Sequence, residues 1–310
     1  MHNFVYFRDL GVSGGKAVIW VIQRIPLKFL RVLGRIGGIA TYHLARIRRQ
    51  VALDNLDLAY GDELTRSEKV AIAKSSFINL VTTILEFCYS PAIDRPIEDL
   101  VDVTNSEAFL KAYREGKGVI VLVPHMGNWE VCGRWYGEHG VVQHAIVRRQ
   151  KQEWVNRIVS SIRKTNLITE IDKRNGLRKA LAALRRGEMV SILADQHAQE
   201  EAVKVEFFGH PAMTHASVAL LAMRTGCNVM VCSGFRHRDG SFGGVFSEPL
   251  ETTVSGDRDR DLVENTQRYV AAIELYVRKN PQDWMWMHRR WKSPRAKGSN
   301  PALTTSLSES

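Results

Sequence analysis

The run Gly118-Val-Ile-Val-Leu-Val-Pro124 constrains the fold of this chain more than any other segment. It is short and wholly apolar, as expected of a strand covered on both faces rather than one that alternates between core and water. Further strand candidates lie at 141–147, 189–194 and 228–233. Between them the period lengthens. Leu177, Leu181 and Leu184 repeat at helical spacing within 176–186, as do Leu262, Tyr269, Ile273 and Val277 within 260–278. Strands alternating with helices predict an α/β fold with a largely parallel central sheet flanked by helices.

The chain before this region reads differently. Residues 15–90 are helical in pattern, and Thr65-Arg-Ser-Glu68 has the form of a capping box, in which hydroxyl and carboxylate each satisfy a free backbone amide. Behind it Val70, Ala73, Phe77, Leu80, Ile84 and Phe87 form an apolar stripe on a helix that Pro91 ends or closely follows. The expected layout is a helical N-terminal annex over 1–95, an α/β domain over 96–297, and a small, polar, disordered tail over 298–310.

No stretch approaches the roughly 18 uninterrupted apolar residues of a membrane span. The longest candidate, Ala17 to Ile22, is followed at once by Gln23 and Arg24 and lacks a clear cleavage site, so neither a transmembrane helix nor a cleaved leader is expected. Pro26 marks a helix start or a kink. Beyond it Lys28, Arg31 and Arg35 continue a basic face from Arg24, beside an apolar face of Phe29, Leu33, Ile36 and Ala40. That pairing suits a helix lying in an anionic membrane interface, and the basic run continues through Arg46, Arg48 and Arg49. The formal net charge of +10 likewise suggests anionic partners. No nucleic-acid-binding motif accompanies it, so no nucleic-acid partner is expected. Four cysteines with no C-x-x-C pair argue against a disulfide framework or a structural zinc site.

In a sheet of this kind, ligands bind just beyond the carboxyl ends of the strands. The first strand delivers Pro124-His125-Met-Gly-Asn-Trp-Glu130, the second Arg148 and Arg149, the third Asp195-Gln196-His197. His125 is the natural general base, because imidazole titrates near neutrality. Glu130 could orient the ring and stabilise its protonated form. Gly127 and Asn128 suit the start of a helix, whose free amides could steady an oxyanion or bind phosphate. On spacing alone, His-x4-Glu also fits a histidine that closes a strand and a glutamate on a solvated helix face. There is no G-x-S-x-G elbow, H-E-x-x-H motif, Walker loop or dinucleotide fingerprint. His125 therefore suits direct activation of a substrate hydroxyl. His210 and His215 flank Pro211 in an expected loop and are not taken as metal ligands.

With His-Met-Gly-Asn-Trp-Glu in place, residues 15–295 resemble the bacterial lipid A biosynthesis (lauroyl/myristoyl) acyltransferase family, which carries an H-x4-D/E motif. The resemblance extends to Arg-Arg-Gln-Val-Ala-Leu-Asp-Asn-Leu (48–56), Ala-Asp-Gln (194–196), Val-Glu-Phe-Phe-Gly-His-Pro-Ala (205–212), Ala-Met-Arg-Thr-Gly (222–226) and Trp-Met-Trp-Met-His-Arg-Arg-Trp-Lys (284–292). It implies a glycerolipid-acyltransferase-like fold and attachment to the cytoplasmic face of the inner membrane. It also implies an acyl-carrier-protein or acyl-CoA donor, a lipid acceptor, and no cofactor. His125 and Glu130 would form the catalytic dyad, with Arg148 and Asp195 in support.

On that reading His125 takes the acceptor's proton, and backbone amides near Gly127 and Asn128, or Arg148, steady the charge on the attacked thioester. A thioesterase or lipid hydrolase would use the same dyad with water as nucleophile. Trp284, Trp286 and Trp291, with Arg289, Arg290 and Lys292, could sit at headgroup level or pack as core.

Overall fold

A computed structural model describes residues 10–292; the expected disordered tail lies outside the described residues. Three helices come first: α1 (Leu10–Ile22), α2 (Leu27–Leu44) and α3 (Arg46–Tyr60), followed by the long α4 (Arg66–Tyr89). The break between α1 and α2 falls at Pro26, which precedes the first residue of α2. The capping box on α4 forms as expected, with Glu68 N–H on Thr65 Oγ1 at 3.3 Å and Thr65 N–H on Glu68 Oε2 at 2.8 Å. A 3₁₀ turn containing Pro91 follows the last residue of α4.

The remainder alternates: β1 (Val101–Thr104), α5 (Ser106–Arg114), β2 (Val119–Leu122), α6 (Trp129–Glu138), β3 (Gln143–Val147), α7 (Glu153–Thr165), β4 (Thr169–Asp172), α8 (Gly176–Arg185) and β5 (Met189–Ile192). After these come β6 (Ala202–Phe207), β7 (His210–His215), α9 (Ser217–Thr225), β8 (Asn228–Arg236), β9 (Phe242–Phe246) and α10 (Arg258–Lys279). Seven strands form one sheet in the order β1-β9-β8-β2-β5-β3-β4, while β6 and β7 form a separate antiparallel hairpin. Every neighbouring pair in the large sheet is parallel except β8 and β9. The molecule is thus an α/β protein with a mostly parallel central sheet.

The apolar run at 119–123 lies at the centre and is covered on both sides. Ile120 and Leu122 join one core with α8, α9, α10 and the helices α3 and α4, through residues such as Leu56, Phe77, Leu184 and Ile273. Val119, Val121 and Val123 face the other core with Phe109, Trp135 and Tyr136. Successive side chains leave a strand on opposite faces, so a strand with two cores has no polar position.

Helix α2 lies on α4 through small residues. A Cβ on Gly38 would meet Ile78 Cα at 2.4 Å, and one on Gly34 would meet Thr82 Oγ1 at the same distance. This close approach turns the buried stripe of α2 to Leu30, Gly34, Gly38 and Tyr42. Phe29, Val32, Leu33 and Ile36 therefore face outward, each about half exposed. Among the described residues, α4 and its short extension form the one helix long and apolar enough to cross a membrane. Its buried face carries Lys69, Ser76, Asn79, Thr83 and Glu86, whose polar groups are bonded to neighbouring segments, and Thr82, whose hydroxyl donates to the Ile78 carbonyl one turn earlier, the arrangement of a core helix.

One expectation changes, and one open choice is settled. His210 and His215 lie not in a loop but at the two ends of β7. Five residues along a strand they point to opposite faces and stand about 17 Å apart, too far to share one ion. Trp284 and Trp286 are at most 1% exposed and Arg290 is wholly buried, so these members of the C-terminal cluster are core rather than headgroup anchors.

Candidate active site

The registers of the central strands bring the site together. In the β2–β5 ladder Leu122 pairs with Ile192. Three residues beyond that pair on each strand stand His125 and Asp195, side by side at the carboxyl edge. Asp195 Oδ1 lies 2.7 Å from His125 Nδ1, and Oδ2 accepts the backbone N–H of His125 at 2.8 Å and the indole N–H of Trp284 at 2.8 Å. Asp195 is 3% exposed. Burial opposes its ionisation, but the neighbouring His125 and these hydrogen bonds more than offset this and hold its carboxyl at about 2. With Nδ1–H committed to a carboxylate, the lone pair of the ring sits on Nε2, beside the side-chain nitrogen of Gln196 at 3.3 Å.

Glu130 takes a different partner from the one its spacing suggested. It lies in the first turn of α6, and its two oxygens receive Nε (3.0 Å) and Nη2 of Arg163 on α7. Arg163 also donates through Nη1 to Glu170 on β4 at 2.8 Å. Burial works against the guanidinium charge, but the two carboxylates more than offset it and raise Arg163 above its ordinary value. The imidazole's carboxylate partner is thus Asp195, 70 residues away in sequence, and not Glu130. No sequence spacing announces the Glu130–Arg163 pair, because it joins two helices across the sheet edge.

Gly127 and Asn128 build the turn between His125 and α6. Gly127 has φ +55°, and a Cβ there would meet the backbone of Gly234 at 2.5 Å and of Phe235 at 2.6 Å. Its N–H donates to the Asp283 carbonyl (3.3 Å), and its carbonyl accepts from Thr83 Oγ1 (2.9 Å) and Asn79 Nδ2 (3.2 Å). The Gly127 amide is spent on this contact, which leaves it unsuited to an oxyanion. Asn128 caps α6 by accepting the Val131 N–H at 3.1 Å and donates to Glu86 Oε2 at 2.8 Å. Arg148 follows the last residue of β3 and is exposed at the same edge of the sheet.

Three further neighbours had no catalytic role assigned from sequence, although His197 was visible at its strand end and Arg290 in the C-terminal cluster. His288 and Arg290 come from the C-terminal segment, and His197 follows Asp195 by two residues. Burial lowers His288 to about 4, with the charge of Asp195 acting in the other direction. Burial also lowers Arg290, to about 10. Arg290 donates to the Met213 carbonyl at 2.8 Å and to Thr214 Oγ1 at 2.5 Å. The signal for this segment was its density of tryptophan, histidine and arginine.

The family model for bacterial lipid A biosynthesis acyltransferases matches residues 2–293. The chain is 25% identical over 287 residues to a lipid A biosynthesis palmitoleoyltransferase of Escherichia coli (strain K12), covering 90% of both chains. It is 22% identical over 288 residues to a lipid A biosynthesis lauroyltransferase of the same organism, again covering 90% of both. A phosphatidylinositol mannoside acyltransferase of Mycolicibacterium smegmatis is 25% identical over 206 residues, 65% of this chain and 66% of that one. The chain belongs to the bacterial lipid A biosynthesis acyltransferase family, and it is an acyltransferase.

Proposed function

We propose that the protein moves a fatty acyl chain from an acyl thioester to a hydroxyl of a lipid A precursor or a related glycolipid, with His125 as general base. The observation that carries this reading is the 2.7 Å contact between His125 Nδ1 and Asp195, which directs the basic Nε2 away from the core. Nε2 takes the proton of the acceptor hydroxyl as its oxygen attacks the thioester carbonyl. Asp195 stabilises the imidazolium that forms, and the imidazolium protonates the departing thiolate. Such acid–base work supplies about 10²- to 10⁴-fold in rate. The positive end of α6, which begins four residues after His125, favours the negative charge that builds on the thioester oxygen. Glu130 and Arg163 hold α6 and α7 together beside the site and fix the wall against which substrate lies.

The acceptor and the acyl chain are lipidic, and the outer surface of the N-terminal helices suits a membrane. Val18, Trp20, Val21, Phe29, Val32, Leu33, Ile36, Leu44 and Ile47 are all at least 46% exposed. Arg24 lies over the Trp20 ring at 4.5 Å, and Lys28 over Phe29 at 5.2 Å. Apolar groups interleaved with cations fit the interface of an anionic bilayer. The donor thioester is carried either by a carrier protein or by coenzyme A, and attachment is to the cytoplasmic face of the inner membrane.

The test uses purified protein, membrane lipid extract, and radiolabelled acyl-carrier-protein and acyl-CoA donors, with His125→Ala alongside. A new labelled lipid from the wild type alone supports the reading and identifies the acceptor class. Labelled free fatty acid without labelled lipid would replace it with a hydrolase. Wild-type turnover by His125→Ala would remove His125 as the base.

A further inference from the structure

Asp195 is a fully buried carboxylate with no lysine or arginine hydrogen-bonded to it in the described residues. Its charge rests on three donors: the ring and backbone of His125, and the indole N–H of Trp284. Two of these come from the residue Asp195 is meant to orient, so only Trp284 is an outside reference for the carboxylate plane.

Trp284 is itself fixed from every side. Its backbone pairs with Met126 in an isolated antiparallel bridge, and the next residue, Met285, donates its N–H to the His125 carbonyl at 3.1 Å. The Trp284 carbonyl accepts from Ser76 Oγ on α4. The ring stands edge-on to Trp286, 4.6 Å between centroids, and 5.6 Å from Phe207. Apolar packing explains a large ring here but not where its N–H points. The indoles of Trp286 and Trp291 donate to backbone carbonyls, of Pro281 and Phe207. Of the three, Trp284 alone donates to a charged side chain.

We propose that Trp284 is a positioning residue of the transfer reaction, whose indole N–H locks the Asp195 carboxylate in the rotation that keeps His125 Nδ1 bonded and Nε2 turned to substrate. The proposal rests on the reading of His125 as base. The other ionisable groups whose charge bears on the dyad or adjoins it are His197, His288 and Arg290, with Glu130 and Arg163 on α6 and α7. Changing Trp284 to another neutral ring leaves all of them in place. Without the indole donor, the carboxylate's charge is less shared, and the coupled dyad takes up its proton at higher pH.

The experiment uses the full chain in detergent micelles, labelled with ¹⁵N-histidine, as wild type, Trp284→Phe and Trp286→Phe. The His125 Nδ1–H signal is assigned by its loss in His125→Ala. Trp284→Phe is expected to move or broaden that signal, and to shift the acid limb of transfer from radiolabelled dodecanoyl-CoA upward by about half a pH unit. It should also lower kcat about tenfold with KM little changed, as loss of a hydrogen bond to a charged group predicts. Trp286→Phe removes an equally buried indole that does not touch Asp195, and should leave the signal and the acid limb where they are. An unmoved Nδ1–H signal in Trp284→Phe, or the same change in both variants, would reduce Trp284 to packing. If Trp284→Phe does not fold, 3-benzothienylalanine at position 284 keeps the ring shape without the N–H and is judged by the same signal. Because that readout needs no turnover, it is independent of whether His125→Ala retains activity, the result that would undo the base assignment itself.

Discussion

Glu86 Oε2 accepts a 2.8 Å hydrogen bond from Asn128 Nδ2, which joins the long helix α4 to the residue that starts α6. The same carboxylate is 2% exposed and receives Arg31 from α2 at 3.0 Å and both terminal nitrogens of Arg236 from β8, at 3.0 and 2.8 Å. One buried negative charge thus ties the N-terminal helices, the sheet and the active-site turn together. Removing that charge leaves two largely buried guanidinium groups without their shared hydrogen-bonded counter-charge. Glu86→Gln is expected to cost about 3–5 kcal/mol of stability in urea denaturation. A loss under 1 kcal/mol would show that water or another group reaches the arginines.

Asp195→Asn tests the orienting carboxylate with little change of shape. An amide nitrogen facing Nδ1 favours the tautomer that puts the proton on Nε2, where the base must be empty. The expected outcome is a fall in kcat of about 10³- to 10⁴-fold, with a lowered melting temperature because the folded state favours the ionised carboxyl. Full activity would mean that the imidazole is held without its charged partner.

Asp283 predicts how stability varies with pH. Burial raises its carboxyl to about 6 from an ordinary 3.8, while the Arg236 amide bonded to its Oδ2 acts in the other direction. A carboxyl raised on folding contributes stability that is fully present below pH 3.8 and is lost as pH rises through 6. Asp283→Asn keeps an acceptor for the Arg236 amide and has no charge to bury. The variant should therefore exceed the wild type at pH 7 by roughly 2–3 kcal/mol and match it near pH 4. Parallel melting curves across that range would place the titration elsewhere.

The outward face of α2 is tested by changing Phe29, Leu33 and Ile36 to serine. Each is about half exposed, so the fold should survive, with a melting temperature within a few degrees of wild type. Binding to sedimented vesicles containing anionic lipid should weaken on the order of 100-fold, because roughly 1 kcal/mol of apolar transfer is lost for each of the three side chains. Unchanged sedimentation would move the contact surface away from α2.

The parts of this molecule that were legible in its sequence are those governed by local rules. The capping box of Thr65 and Glu68 depends on four consecutive residues, and the central strand on its own unbroken apolar run. β1, β4 and β9 were not legible: Val101-Asp-Val-Thr and Thr169-Glu-Ile-Asp are short and half polar, and Phe242-Gly-Gly-Val-Phe contains two residues unfavourable to strands. Their partners supply the stability that their own side chains do not. His125 and Asp195 were both visible as residues at strand ends. Their pairing was hidden because it follows from β2 and β5 being neighbours in register, a property of the sheet order. The reverse holds for His125 and Glu130, which are close in sequence and bonded to different partners, since α6 turns the glutamate toward α7.

The segment 283–291 carries a consequence for the order of assembly. Its residues close the turn at Gly127, bridge Met126 and hold Asp195, yet they are made more than 150 residues after His125. Contacts between such distant stretches form late, because loop closure must precede any reward from them. As the chain leaves the ribosome, the central strands and their helices can settle while the imidazole still lacks its final frame. A nascent or C-terminally clipped chain would then hold a folded sheet without the frame around His125, and acyl transfer would begin only once that segment is in place.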